Sequence, residues 1–230
     1  MNLHPRIALL ACALAMTAGA QTTAQDGFEG NLLSSEAPPG VWGYKVEQEP
    51  LNFFGTSAAA AKSGSFGLRN VDTTTGPKFV TANGLVLPVA SDAGGSQHYE
   101  RVWFRGSNHN LVSAAKVISM DLAPLGLPAA EVYFEARTLR LKYFNRFMAE
   151  STPFIATLDA DGQWVLIELF VTGLGTDAGT VALSLDGQLR SFSQGINWGG
   201  ERLSAFGLGN LFGQSNFTAT LDFDDFGASR

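Results

Sequence analysis

The chain has 230 residues, 21 acidic against 15 basic side chains, and a formal net charge of −6. An acidic chain without a basic run argues against nucleic acid as a partner. No stretch beyond the first twenty residues is apolar for long enough to span a bilayer, so no transmembrane segment is expected. The one cysteine, Cys12, lies close to the start, which leaves the remainder without disulfides.

Residues 1–20 read as a signal peptide. Arg6 gives a short basic start, IALLACALAM an apolar run, and Ala18 and Ala20 a small-x-small cleavage pattern. Cleavage is expected after Ala20, with Ala24 as the alternative. LLAC, ending at Cys12, loosely resembles a lipid-attachment box. A cut there would leave an apolar run of about five residues, short of the roughly 7–15 of a signal core. A secreted or periplasmic protein follows, with residues 21–230 as a single domain that can bury a full core. Export without disulfides leaves the chain ends to be fastened in some other way.

Along the chain, DGFEG (26–30) opens with acids. TSAAAAKSG (56–64) is flanked by glycines and reads as strand and turn rather than helix. Strands are expected at YERVWFR (99–105), AAKVISMDL (114–122), AEVYFEAR (130–137), QWVLIELFV (163–171) and TVALSLDG (180–187). Turn signals at 92–95, 106–110, 159–162, 177–179 and 197–200 separate them. Many short strands without a long amphipathic helix predict an all-β jelly-roll sandwich of two antiparallel sheets.

Period-two alternation sorts the side chains. Val165, Ile167, Leu169 and Val171 form a core row, with Trp164, Leu166, Glu168 and Phe170 opposite. Tyr99, Arg101, Trp103 and Arg105 share one face, against Glu100, Val102 and Phe104. Tyr133, Glu135 and Arg137 share another, and LRLKYF adds Arg140 and Lys142. Aromatic rings beside forked donors and carboxylates suit sugars, whose C–H faces lie on rings while their hydroxyls take hydrogen bonds. The candidate glycan-binding residues are therefore Tyr99, Arg101, Trp103, Arg105, Tyr133, Glu135, Arg137, Trp164 and Glu168. Ordinary cross-strand pairing on a solvated face explains the same pattern, and alternation alone leaves both readings open.

The chain closes on LDFDDFGAS (221–229), where Asp222, Asp224 and Asp225 crowd together. Like charges this close need a partner. If the ends meet, Asp26, Glu29, Asp222, Asp224 and Asp225 could ligate calcium, which takes six to eight oxygens, with carbonyls near Ser63 and Gly64 completing the set. Strict alternation puts Asp222 and Asp224 on one face and Asp225 on the other, so all three ligate together only across a bulge. Solvated terminal charges are the competing reading.

The FE at 28–29, SGSFGL (63–68), YERVWFR, DGQWVLIEL (161–169), VALSLDG (181–187) and LDFDDF (221–226) together resemble the concanavalin A-like lectin/glucanase jelly rolls, LamG-like domains included. Within them the chain looks most like secreted bacterial polysaccharide-lyase-like and glycan-binding proteins, over roughly residues 26–229. The resemblance implies two stacked sheets, one concave and serving as a glycan groove. It also implies that the FE and DDF segments meet and hold a structural calcium through Glu29 and Asp224–Asp225.

The activity is open. A retaining glucanase of this fold would carry E-x-D-x-x-E, which is absent, so hydrolysis is not expected. A lyase needs cations to neutralise a uronate and a proton-transfer group. Arg101, Arg105, Arg137, Arg140 and Lys142 are candidate cations; Tyr99, Tyr133, Tyr143 and His109 are candidate proton carriers, with Tyr99, Arg101 and His109 foremost as catalytic residues. The marked alginate-lyase strands are missing, since LKYFNRF (141–147) lacks the glycine and glutamine of YxKxGxYxQ. His98 and His109, without cysteine, do not make a zinc site. The expected function is lectin-like polysaccharide binding. The alternatives are β-elimination on a uronate-containing glycan, or a structural surface or matrix role.

Overall fold

A computed structural model describes residues 22–30, 42, 44–47, 53–72, 81–89, 97–108, 114–123, 128–147, 150–158, 162–213 and 219–229. The leader, His109 and the turn signal at 92–95 lie outside the described residues.

The first sheet runs β14 (Gln188–Ile196), β13 (Gly179–Leu185), β12 (Trp164–Thr172), β6 (Gln97–Asn108), β16 (Ala219–Ser229), β4 (Gly67–Asp72) and β3 (Phe53–Ser57), with β1 (Thr22–Asp26) also paired to β16. The second runs β10 (Glu150–Ser151), β9 (Thr138–Phe144), β8 (Pro128–Glu135), β7 (Ala114–Ala123), β15 (Arg202–Gly213), β5 (Thr81–Pro88) and β2 (Tyr44–Glu47), with β11 (Phe154–Thr157) also on β9. All described pairings are antiparallel. The two sheets stack as a β-sandwich.

Alternation builds the core between them. Val165, Ile167, Leu169 and Val171 are buried, and Val102 and Phe104 join them from β6. Phe104 meets Phe134 of the second sheet edge-on, with ring centroids 5.4 Å apart, and Phe223 of β16 at 5.7 Å. Gly106 is required here, because a Cβ would lie 2.7 Å from both Phe104 and Phe134 ring atoms.

Three expected strands end early for local reasons. Ala136 and Arg137 both take positive φ (46° and 64°) and form the two-residue turn between β8 and β9. Asp186–Gly187 does the same between β13 and β14, with φ of 51° and 72°; Asp-Gly is a preferred sequence for such a turn. In TSAAAAKSG the strand stops at Ser57, whose hydroxyl accepts from Ala59 N and caps a short 3-10 turn over Ala58–Ala60.

Candidate functional site

The aromatic and arginine face of β6 is the outer face of the first sheet, and its groups largely satisfy one another. Arg105 stands directly between Trp164 on β12 and Asp222 on β16. Its guanidinium carbon lies 4.7 Å from the Trp164 ring centroid, and its Nη2 donates to Asp222 Oδ2 at 2.7 Å. Arg69 on β4 adds a fork, donating from Nε at 2.7 Å and Nη2 at 2.9 Å. Both arginines also donate to the carbonyl of Ala59. Tyr99 donates its hydroxyl to Glu168 at 2.7 Å. Burial first, and that bond second, pushes the Tyr99 phenol well above its ordinary value. Lys62 covers one side of Trp103, 4.8 Å from the ring centroid.

The chain ends do meet, and a bulge lets them. The β16–β6 register shifts between Asp224 and Gly227, and Asp225 takes φ 48°. Most of the acids there already have donors. Asp26 accepts from Phe28 N and from Trp42 Nε1, each at 2.7 Å. Asp224 accepts from the amides of Lys62 (2.7 Å), Ser63 (2.8 Å) and Asp225 (2.8 Å). Burial nonetheless raises its carboxyl above the ordinary value. Asp222 belongs to the arginine cluster rather than to the chain ends. That leaves Glu29, which accepts from Ser65 N at 3.0 Å, and Asp225, which accepts from Ser63 Oγ at 3.0 Å. Glu29 reaches this position only because residue 64 is glycine: a Cβ there would lie 1.9 Å from Oε1. Among the described residues, no three His, Cys, Asp or Glu side chains form a group that could hold a metal ion.

The outer face of the second sheet is different in kind. Its central polar residues are sunk: Lys116 is 6% exposed, Glu131 3% and Ser119 0%, although all three point away from the core. Lys116 Nζ lies 2.7 Å from Glu131 Oε2, a charge contact without hydrogen-bond alignment. Glu131 Oε1 accepts from the Tyr133 hydroxyl at 2.5 Å. Burial first, then Glu131, pushes the Tyr133 phenol well above its ordinary value. Lys142 Nζ sits 5.5 Å from the centroids of both Tyr133 and Phe144, and 2.9 Å from Glu150. Lys142 thereby holds the Glu150 carboxyl below its ordinary value. Arg140 pairs with Glu135 at 3.3 Å. Asp121 is raised by burial. Along β15, Ala205 and Gly207 face outward beside Asp121 and Ser119, while Phe206 and Leu208 point into the core. Val86, opposite Gly207, packs with Ala205 on the same side, and both are buried, so the centre of this face is closed to solvent.

The candidate residues thus divide between two opposite outer faces. Tyr99, Arg101, Trp103, Arg105, Trp164 and Glu168 stand on the first sheet. Tyr133 and Glu135 stand on the second, and Arg137 sits in the turn beyond, donating to the Leu158 carbonyl at 3.2 Å. No single groove collects them. Tyr143 reaches toward the first sheet and donates to Ser193 Oγ at 2.9 Å. Sequence reasoning passed over Lys116, Ser119, Asp121 and Glu131. The available signal was a lysine and an acid inside two largely apolar strands.

No protein-family model matches the sequence, and no curated protein matches it. Solved structures do match. The chain is similar to an endo-β-1,4-glucuronan lyase from the fungus Trichoderma reesei, with TM-score 0.62 and 13% identity, over 82% of this chain and 90% of that one. It is similar to the cellulose-induced protein Cip1, with TM-score 0.61 and 19% identity, over 89% and 96% of the two chains. It is also similar to a family 7 alginate lyase crystallised with its product, with TM-score 0.58 and 14% identity, over 76% and 82%. At these identities the likeness is one of fold, the jelly-roll β-sandwich.

Proposed function

We propose that the protein is a secreted, lectin-like carbohydrate-binding sandwich, and that a neutral polysaccharide lies on the Tyr133–Phe144 side of the second sheet's outer face. The fold is shared with lyases named for glucuronan and alginate, which supports a polysaccharide as ligand without bearing on its charge. The observation that carries the reading is the charge arrangement of that face. Three of its described cations have a carboxylate: Lys116 with Glu131, Arg140 with Glu135, Lys142 with Glu150. Asp121 and the exposed Arg202, opposite Ala123 at the start of β15, bring the described face to four acids and four bases, a formal charge of zero. Such a face gives a polyanion no net attraction but offers carboxylate acceptors to hydroxyls. The rings of Tyr133 and Phe144 beside Lys142 supply the apolar platform.

Retention of purified mature protein on insoluble cellulose and on alginate gel tests this. Binding to cellulose alone, reduced roughly tenfold or more in Tyr133→Ala, is the expected result. Retention on alginate alone, or retention indifferent to Tyr133→Ala, would overturn it.

β-Elimination remains a second reading because Lys116 faces Tyr133 across the β7–β8 register, a cation beside a phenol. Its difficulty is the same Glu131, which occupies the lysine and holds the phenol protonated. Incubation with alginate or polyglucuronate would have to produce the ultraviolet absorbance of an unsaturated sugar, and a flat trace is expected.

Two accompanying proposals concern the chain ends. Cleavage after Ala20 leaves β1 whole, whereas cleavage after Ala24 removes Thr22–Ala24, including the pairing of Ala24 with Ala228. N-terminal sequencing of exported protein distinguishes them. A calcium ion would be held by Glu29 and Asp225, with backbone carbonyls of the 62–66 segment, since Asp222 and Asp224 are buried and Asp26 is held by Phe28 N and Trp42 Nε1. Its chemistry there would be neutralisation and cross-linking of the ends. Chelation of calcium-loaded protein should lower Tm, and Asp225→Ala should abolish that response.

A further inference from the structure

A cavity of about 400 Å³ opens on the first sheet, beside the bulge of β16 and away from the face assigned to the polysaccharide. Its size lies toward the lower end of small-ligand pockets, roughly 300–1,000 Å³. Gln25 and Asp26 of β1, Arg101 and Trp103 of β6, Leu166 of β12 and Asp225 of the bulge line it. It is a built feature. The bulge turns Asp225 out of the strand's alternation, and Gly227 lets Arg101 cross β16, with the position of a Cβ only 3.1 Å from Arg101 Nε.

The lining has a mixed chemistry that its neighbours lack. Arg105 and Arg69 spend their guanidinium groups on Asp222. Arg101 is exposed, its polar neighbour is the Tyr99 hydroxyl, and no described carboxylate comes within ion-pair distance. Trp103 and Leu166 stand opposite each other in the register and form an apolar wall, with Lys62 on one side of the indole. Asp225 commits one oxygen to Ser63 and has the other turned toward Gly27, whose Cβ position is 3.6 Å from Oδ1.

We infer that this cavity is a second sugar site and that it takes a single acidic sugar unit, such as the uronate end of a glycan. The carboxylate meets Arg101 in a charge-assisted, forked contact. The ring lies against Trp103 and Leu166. Hydroxyls donate to Asp225 and exchange hydrogen bonds with the Gln25 amide. A neutral sugar would fill the same space and bring Arg101 no carboxylate, so selectivity rests on that one residue. The site stands independently of the polysaccharide reading for the other face.

Titration with D-glucuronic acid and D-glucose, followed by ligand-observed NMR, is the test. Wild type should bind glucuronic acid more tightly than glucose. Arg101→Gln, at an exposed position, should weaken glucuronic acid roughly tenfold or more and leave glucose unchanged. Trp103→Ala should weaken both, and Tyr133→Ala should affect neither. Absence of glucuronic acid binding, equal binding by Arg101→Gln, or a loss produced by Tyr133→Ala rather than Trp103→Ala would each overturn the inference. Failure of the cellulose experiment with success here would leave this site standing alone.

Discussion

Replacing Glu131 by glutamine probes the centre of the second sheet's outer face. The Lys116–Glu131 pair is nearly dry, with side-chain exposures of 7% and 3% and a 2.7 Å nitrogen–oxygen distance. Removing one partner of such a pair strands the other charge, at a cost of about 3–5 kcal/mol. Glutamine keeps the volume, and its carbonyl can still receive the Tyr133 hydroxyl, so most of the loss is electrostatic. The aliphatic stem of Lys116 can carry its ammonium part-way to water, which places the expected cost near the lower limit, about 3 kcal/mol. The double variant Lys116→Met/Glu131→Leu leaves neither charge of the pair unpartnered but takes the acceptor from the Tyr133 hydroxyl, at about 1–3 kcal/mol, so it should be more stable than the single variant without exceeding wild type by much. Urea unfolding followed by tryptophan fluorescence gives both values, with an unchanged slope showing that the same surface is exposed. A single variant within about 1 kcal/mol of wild type would show the pair to be as solvated as a surface one. A double variant as unstable as the single would locate the loss in packing. Glu131→Gln also removes one negative charge from the face, so retention on alginate should rise.

Glu100 points into the core from β6, fully buried, and among the described residues neither carboxylate oxygen has a hydrogen-bond partner. Burial, then Asp121, pushes its pKa well above 4.5, so the folded state holds a proton that the unfolded state releases. Stability should therefore fall as pH rises above about 4.5, by up to about 1.4 kcal/mol per pH unit until Glu100 ionises. Glu100→Gln should flatten that slope in thermal melts between pH 5 and 8, and identical slopes would contradict the assignment. Asp222→Ala strands Arg69 and Arg105 and should cost about 3 kcal/mol by urea unfolding; a loss under about 1 kcal/mol would mean that water already shares those guanidinium groups. Ala136→Asn, in the left-handed first position of the β8–β9 turn, should stabilise by about 0.5–1 kcal/mol. A lower Tm would show that the turn is not the type inferred from its φ values.

Local pattern made the strands legible; it could not assign them to sheets. YERVWFR and AAKVISMDL lie inside β6 and β7, all of QWVLIELFV but Gln163 lies in β12, and the inward and outward sets of β6 and β12 follow alternation, while β7 shifts register between Lys116 and Ile118. Alternation says only that Tyr99 and Tyr133 both face away from something. β6 and β7 are consecutive yet belong to different sheets, so their outward faces look in opposite directions. Asp222 was illegible for a similar reason. Its arginines come from positions 69 and 105, brought beside it by β4 and β6. Lys116 and Glu131 were obscured by the opposite effect, since each sits in a strand whose apolar content reads as core. His98, in the second position of β6, is buried on its inward side.

The bulge in β16 is where sequence logic and site geometry part most clearly. With strict alternation, Asp224 and Asp225 would face opposite sides, and one of them would enter the core. The extra residue changes this. Phe223 remains inside against Phe104, Phe226 packs on Trp42 with centroids 4.7 Å apart, and both acids escape the apolar interior. Trp42 in turn donates to Asp26, which ties β1 to the same place. One backbone irregularity therefore closes the chain ends, keeps Asp225 available near Glu29, and opens the cavity in which Arg101 stands. An insertion or deletion in LDFDDF would shift every residue beyond it to the other face. That makes the acidic ending a constraint on register first, and a source of ligands only because the register is held.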